Sequence, residues 1–333
     1  MRPFWGRMAR PITILRTWGI GERSGGRMRV GVLVAALVTA ALVGGLVLAG
    51  GTKKVGAERY SAYADPEKPV ISYLLSDPEN VEDFQREFAL NDGEMADVLD
   101  AVRRENEILA GTFSRSERIV QANRGLSDER VREKIAASSF DESVRAAVAG
   151  TKGEVKRILP PGRRSDFRSW VDARWQEERQ EFDQEPYTFM TTTTTTDRGR
   201  TFRVYATQYR GHTLREAALP QSKLKFEGGY RVRVRPAGSS DRGWVMIKDV
   251  GPWNTHDNWY ARRKYREMWR NLPRGMPEAQ AAYFDNFHRG RDEFGRKVLN
   301  PAGIDLTPAF AREIGLGRYE SAWVYVHVPW VHS

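Results

Sequence analysis

The period of the apolar residues changes once along this chain, and the change sits at a run of six threonines, Thr191 to Thr196. Before it, apolar side chains recur every three to four residues, as on one face of a helix. After it they alternate in steps of two, as on a strand with one buried face. A chain that keeps its helices and strands in separate halves folds as α+β, not as an alternating βαβ sheet. The threonine run itself, poor in helix propensity and good in strand propensity, reads as a linker or an entry strand.

Residues 81–187 form the helical half. Met95, Val98, Leu99, Val102, Ile108 and Leu109 mark one stripe, opened by Asp92-Gly93-Glu94. Ser127-Asp128-Glu129 puts acids in the first turn of a second helix, where the dipole favours them. A third helix is expected from Asp141 to Leu159. Pro160-Pro161-Gly162 ends it, and a fourth from Ser165 to Phe182 carries Phe167, Trp170, Val171 and Trp175 on one face. No catalytic constellation is evident here; a spacer or a module that docks protein partners is the expectation.

Residues 188–333 form the strand half. Thr201 to Ala206, Tyr230 to Arg235, Gly243 to Lys248 and Ala322 to Val328 alternate, which suggests a small β-barrel. An insertion at 253–300 breaks the pattern and is rich in aromatics and arginine; its aromatics read more readily as local core than as a binding surface.

At the other end, Val30 to Thr52 carries no charged side chain and is long enough to span a bilayer as a helix. Seven arginines and one acid, Glu22, precede it, so the positive-inside rule leaves residues 1–29 in the cytoplasm and sends the rest across. The segment is either a retained anchor or a signal peptide cut after Ala57 or Ala64. Its length favours the anchor, whereas a start at Met28 favours the signal. Residues 53–80 read as a stalk. The expected location is therefore the cell membrane, single-pass with the C-terminus outside, or secretion if the segment is cleaved.

The net charge is +10, but it is unevenly held. Residues 1–57 contain nine bases and one acid, residues 58–187 contain 20 bases and 28 acids, and residues 188–333 contain 24 bases and 14 acids. Outside the N-terminal tail the surplus is only +2, which removes the argument for nucleic acid as a partner. Either the acidic and basic halves dock, or the basic half faces an anionic polymer or lipid headgroups. With no cysteine the chain has no disulfide, no thiolate and no cysteine metal site. Asn254, His256 and Asp257 do not make a metal site on their own, and no cofactor is expected.

Two segments carry the chemistry. Val245 to Pro252 and Gly303 to Ala311 each place an acid, Asp249 and Asp305, at the end of an apolar strand before a turn. A carboxyl group desolvated at a barrel rim has a raised pKa, which suits general-acid work. Asp249 instead serves only the turn at 250–252 in the structural reading, and Asp305 caps the following helix. His327 alternates with valines and reads as a barrel-surface residue.

Asp249-Val250-Gly251-Pro252, then Ile304-Asp305-Leu306-Thr307, then Val324-Tyr325-Val326, with Gly229 to Val234 ahead of them, resembles the double-psi β-barrel of the rare lipoprotein A-like family over about residues 200–330. The fold expected from this is α+β: an N-terminal transmembrane helix, an α-helical module and a C-terminal six-stranded double-psi β-barrel. The resemblance implies binding or cleavage of a wall polysaccharide such as peptidoglycan, as in lytic transglycosylases, with Asp249 as the candidate acid and Asp305 as the second carboxyl. One carboxyl group can protonate the glycosidic oxygen and then act as base toward the sugar's 6-hydroxyl. Tyr205, Tyr209, Trp253, Asn254, Trp259 and Arg262 are the expected substrate contacts. Two features depart from the family. Its histidine has no counterpart in Ala217 to Ser222, with His212 nearby but out of register, and its opening Trp-Tyr segment is replaced by Tyr205 to Tyr209. A non-enzymatic envelope scaffold is the alternative.

Overall fold

The computed structural model describes residues 67–184 and 199–331. The basic tail, the segment 30–52, residues 53–66 of the expected stalk and the threonine run lie outside the described residues. Among the described residues no helix is long and apolar enough to cross a membrane.

Six helices make up the first half of what is described: α1 (Ile71–Leu74), α2 (Pro78–Glu87), α3 (Asp92–Ala122), α4 (Asp128–Ala137), α5 (Phe140–Ile158) and α6 (Asp166–Gln184). Their starts follow local chemistry. Asn91 caps α3 reciprocally with Glu94, each side chain taking the other's backbone N–H at 3.0 Å. Ser127 caps α4 by accepting from the Arg130 N–H. Phe167, Trp170, Val171 and Trp175 are buried together, as their spacing predicts. The stalk expected through residue 80 stops earlier, because Val70, Ile71, Tyr73, Leu74 and Leu75 belong to the helical core.

The second half is a closed barrel of β1 (Arg200–Gln208), β2 (Ala217–Leu219), β3 (Arg231–Pro236), β4 (Gly243–Val250), β5 (Ala302–Leu306) and β6 (Ala322–Val328). Around the barrel the order is β1-β5-β2-β4-β3-β6. The β1–β5 and β2–β4 pairs are parallel and the other four are antiparallel. Exchanging β1, β2 and β3 for β4, β5 and β6 leaves this pattern unchanged, so the barrel consists of two interlocked three-strand halves. Three short helices lie between strands: α7 (Ser222–Glu227), α8 (Glu278–Asp285) and α9 (Pro308–Glu313). The strand β2 escapes the alternation rule because all three of its residues are buried.

The insertion's aromatics pack as core, and what they pack against is the helical half. Trp253, Tyr283, Phe284, Phe294, Val298 and Leu299 share one apolar core with the helices. Trp175 stacks on Phe284 and meets Tyr283 edge-on, and Phe113 of α3 meets Trp253 at 4.8 Å. Ion pairs cross the same junction: Arg291 to Asp141, Arg179 to Asp285, and Arg296 to Glu117. The acidic and basic halves therefore dock on one another through the insertion.

Candidate functional site

Register places four residues in one row across adjacent strands. Thr207 of β1 pairs with Asp305 of β5, which pairs with Ala218 of β2, which pairs with Asp249 of β4. Their strand neighbours Ala206, Ile304, Leu306, Ala217, Leu219 and Ile247 all point into the barrel's apolar interior. The row therefore lies on the outer face. Asp249 reaches that face through an irregularity: Ala217 pairs with Ile247 but Ala218 pairs with Asp249, so Lys248 is an extra residue. Without this bulge Asp249 follows Val245 and Ile247 inward.

The two carboxyl groups have different surroundings. Asp305 is buried and accepts a hydrogen bond from the Thr207 hydroxyl on Oδ1. Burial pushes its pKa up to about 7; the Thr207 bond opposes the rise and the charge of Asp249 adds to it. Its Oδ2 lies beneath Gly251, where an added side-chain carbon would stand 4.0 Å from that oxygen. The φ of +144° at Gly251 suits a residue without Cβ. Asp249 is partly exposed and keeps company with two basic side chains: Lys225 of α7 donates to Oδ1 at 2.5 Å, and His212 Nε2 stands 3.9 Å from Oδ2.

The loop bearing His212 is anchored by Glu216, which is fully buried. It accepts from the Tyr209 hydroxyl at 2.9 Å, the His212 N–H at 2.8 Å, and both the N–H and hydroxyl of Thr213 at 2.9 and 2.7 Å. Burial alone raises its pKa, but these bonds outweigh burial and hold it below the usual range. Gly211 is needed here, since a Cβ at that position comes within 2.5 Å of Glu216 Oε1 and 2.6 Å of Thr307 Cγ2. Glu216→Ala removes four hydrogen bonds from one loop. Hydrogen exchange at the His212 and Thr213 amides is expected to accelerate at least about 10-fold, with the strand amides of β1 unchanged. Unchanged exchange at those two amides contradicts the anchoring role.

The helical half supplies the other wall. Glu117 of α3 is pushed up to about 7 by burial, against the pull of Arg296 and with repulsion from Asp292 and Asp249. Arg124, just beyond α3, is lowered by burial and lies within electrostatic reach of Asp249 and Glu117. Its guanidinium sits 4.0 Å from the ring centre of Phe226 on α7.

Of the residues singled out in the sequence, Asp249, Asp305 and Tyr209 meet at this row; burial, with the nearby Glu216 and Asp249 charges, raises the Tyr209 hydroxyl well above its ordinary pKa. The others do not. Tyr205 packs between Tyr73 and Trp323, with its hydroxyl on Ser76. Trp253 donates to Asn300 Oδ1 at 3.0 Å, and Trp259 donates to the Gly303 carbonyl at 3.0 Å. These three rings are 5%, 2% and 0% exposed, so they are core and not an open platform for sugars. Asn254 is buried between Glu278 and Glu293. Arg262 is exposed and lines a separate cleft. Asp305 does not cap α9: the N-cap is Thr307, whose hydroxyl donates to the Leu214 carbonyl at 2.8 Å. Nor does Asp249 serve the turn, since its oxygens go to Lys225 and His212. His327 is buried against Thr201. Among the described residues no group of three metal-ligating side chains is assembled.

His212 and Lys225 are the residues that sequence reasoning passed over. His212 was out of register with the expected motif, but the loop held by Glu216 folds it back onto Asp249. The two carboxyls differ in setting, Asp305 buried and proton-holding up to about pH 7 and Asp249 beside a lysine, and so form a pair able to divide acid and base duties.

Residues 200–327 match a family described as a domain of unknown function (DUF8814), a span that covers the barrel and its insertion. None of the curated proteins and none of the solved structures compared with the chain matches it.

Proposed function

We propose that this chain is an exported envelope protein, anchored by the segment 30–52, whose barrel is of the double-psi type and cleaves a wall polysaccharide at the Thr207–Asp305–Ala218–Asp249 row. The observation that carries the reading is the asymmetry of the two carboxyls. Asp305, protonated up to about neutral pH, is the general acid toward a glycosidic oxygen. Asp249, paired with Lys225 and facing His212, is the carboxylate placed to stabilise positive charge developing on the sugar. Once it has given up its proton, Asp305 can take one from the sugar's 6-hydroxyl, which closes an anhydro ring. The strand order, with two parallel pairs and a pattern repeated in each half, supports the double-psi reading. The assignment of acid thus moves from Asp249 to Asp305.

A second reading, a non-enzymatic envelope scaffold, is favoured by the burial of Tyr205, Trp253 and Trp259, which removes the expected stacking platform. Digestion of purified wall glycan separates the two, with products analysed by mass spectrometry. Anhydro-sugar ends that disappear in His212→Ala and Asp249→Asn support cleavage. Retention of the protein on the wall without any released product supports the scaffold and ends the enzymatic reading.

A further inference from the structure

Lys223 and Lys225 are two residues apart on α7 and so point to opposite sides. Lys225 serves Asp249. Lys223 faces a different feature, a cleft of about 450 Å³. One wall is aromatic: Trp330 meets Tyr230 at 5.0 Å and 71°, and Tyr260 at 5.9 Å and 89°. The other lining side chains include three cations, Lys223, Arg262 and Arg274, and no carboxylate lines it. Glu227 stands outside the lining, accepting from the Tyr230 hydroxyl at 2.9 Å with Lys223 at 3.6 Å. Arg274 is fixed in place by its Nε bond to the Tyr260 carbonyl at 2.8 Å. Burial first, and then repulsion from Arg200 and Arg262, lowers its pKa to about 10.

This combination defines the ligand by chemistry. The cations select anions, and the exposed Arg262 offers a planar fork suited to carboxylates. The rings offer apolar faces to flat C–H surfaces. They form a single edge-to-face wall, which fits a sugar chain lying along it better than a base that needs a ring on each side. We propose that this cleft is a second binding site, for an acidic saccharide chain that carries carboxylates on its rings. The class of ligand rests on the polysaccharide reading above; the position rests on the cleft alone.

The test is isothermal titration of the full chain with a galacturonate oligosaccharide, with an uncharged cello-oligosaccharide of equal length, and with adenosine monophosphate. Arg262→Glu and Lys223→Glu change exposed side chains and leave the packing intact, which circular dichroism checks. The galacturonate oligomer is expected to bind, the uncharged oligomer is not, and each charge reversal is expected to weaken binding at least about 10-fold. Equal affinity for the uncharged oligomer, preference for the nucleotide, or indifference to both reversals overturns the proposal. So does loss of binding in Asp305→Asn with retention in Arg262→Glu, which places the ligand at the carboxyl row. Binding that persists in a chain unable to release products from wall glycan defeats only the catalytic reading.

Discussion

Replacing Asp305 by Asn is expected to lower release of anhydro-sugar products by about 10²- to 10⁴-fold while leaving the fold intact, because the general acid is the one group whose proton the reaction consumes. The substitution is nearly isosteric, and the Asn carbonyl still accepts from the Thr207 hydroxyl. The pH dependence adds an independent reading. Product release by the unaltered chain should fall as pH rises through about 7, where Asp305 loses its proton. The same shift has a signed effect on stability. In the folded chain Asp305 binds its proton more tightly than it does unfolded, so between about pH 4 and pH 7 the native state holds the extra proton. The contribution of Asp305 to stability is then fully present below its unfolded pKa and is lost as pH rises through about 7. Asn carries no such titration. At pH 8 Asp305→Asn should therefore be at least as resistant to denaturant as the parent, whereas at pH 4 the two converge or the order reverses. A variant that is inactive and also unfolded at pH 8 does not count for the acid; activity within about 3-fold of the parent counts decisively against it.

How much of this site was visible in the sequence depends on the kind of signal. Asp249 and Asp305 stood out because each ends an apolar run before a turn, and local pattern reports such positions well. The division of labour between them was not visible, because it depends on a bulge at Lys248 and on the burial of Asp305 against Thr207. His212 was discounted by register, yet the hydrogen bonds gathered by Glu216 override linear spacing. The helices followed from caps and stripes, which are local. The aromatics of the insertion read more readily as core than as a sugar platform, and Trp253, expected to touch a sugar, faces another element instead. Trp253, Tyr283 and Phe284 are hydrophobic side chains that dock two halves of one chain. The charge imbalance between those halves was legible, and of its two interpretations the internal one holds across Arg291–Asp141 and Arg296–Glu117.

Arg296→Ala should be the most destabilising single substitution at that junction, by about 3–5 kcal/mol. Arg296 is fully buried, and it is shared by three partners: Asp292 from its own turn, and Glu117 and Ser116 from α3, the last at 2.9 Å. Its guanidinium also lies 4.8 Å from the ring centre of Phe113 and 5.3 Å from that of Phe294. Removing it leaves two carboxyl groups without their counter-charge, and both are already pushed up by burial, Glu117 to about 7 and Asp292 to about 6. Those groups then relieve themselves by taking protons, so the deficit has a predictable sign with pH. Denaturant titrations at pH 8 should show the full loss, equivalent to about 6–10 °C in melting temperature for a unit of this size. At pH 5 much of it should be recovered, because the uncompensated carboxyls are then neutral. Arg296→Met, which keeps volume and ring contact, should lose less than Arg296→Ala at pH 5 and nearly as much at pH 8, where charge dominates. A loss independent of pH in both variants would mean that the packing of the guanidinium against Phe113 and Phe294, and not its charge, holds α3 to the insertion. The same experiment bears on the site, because α3 carries Glu117 and leads into Arg124, the groups that face Asp249. If α3 separates from the insertion in Arg296→Ala, the environment of Asp249 changes with it, and product release should fall even at temperatures where the barrel itself remains folded.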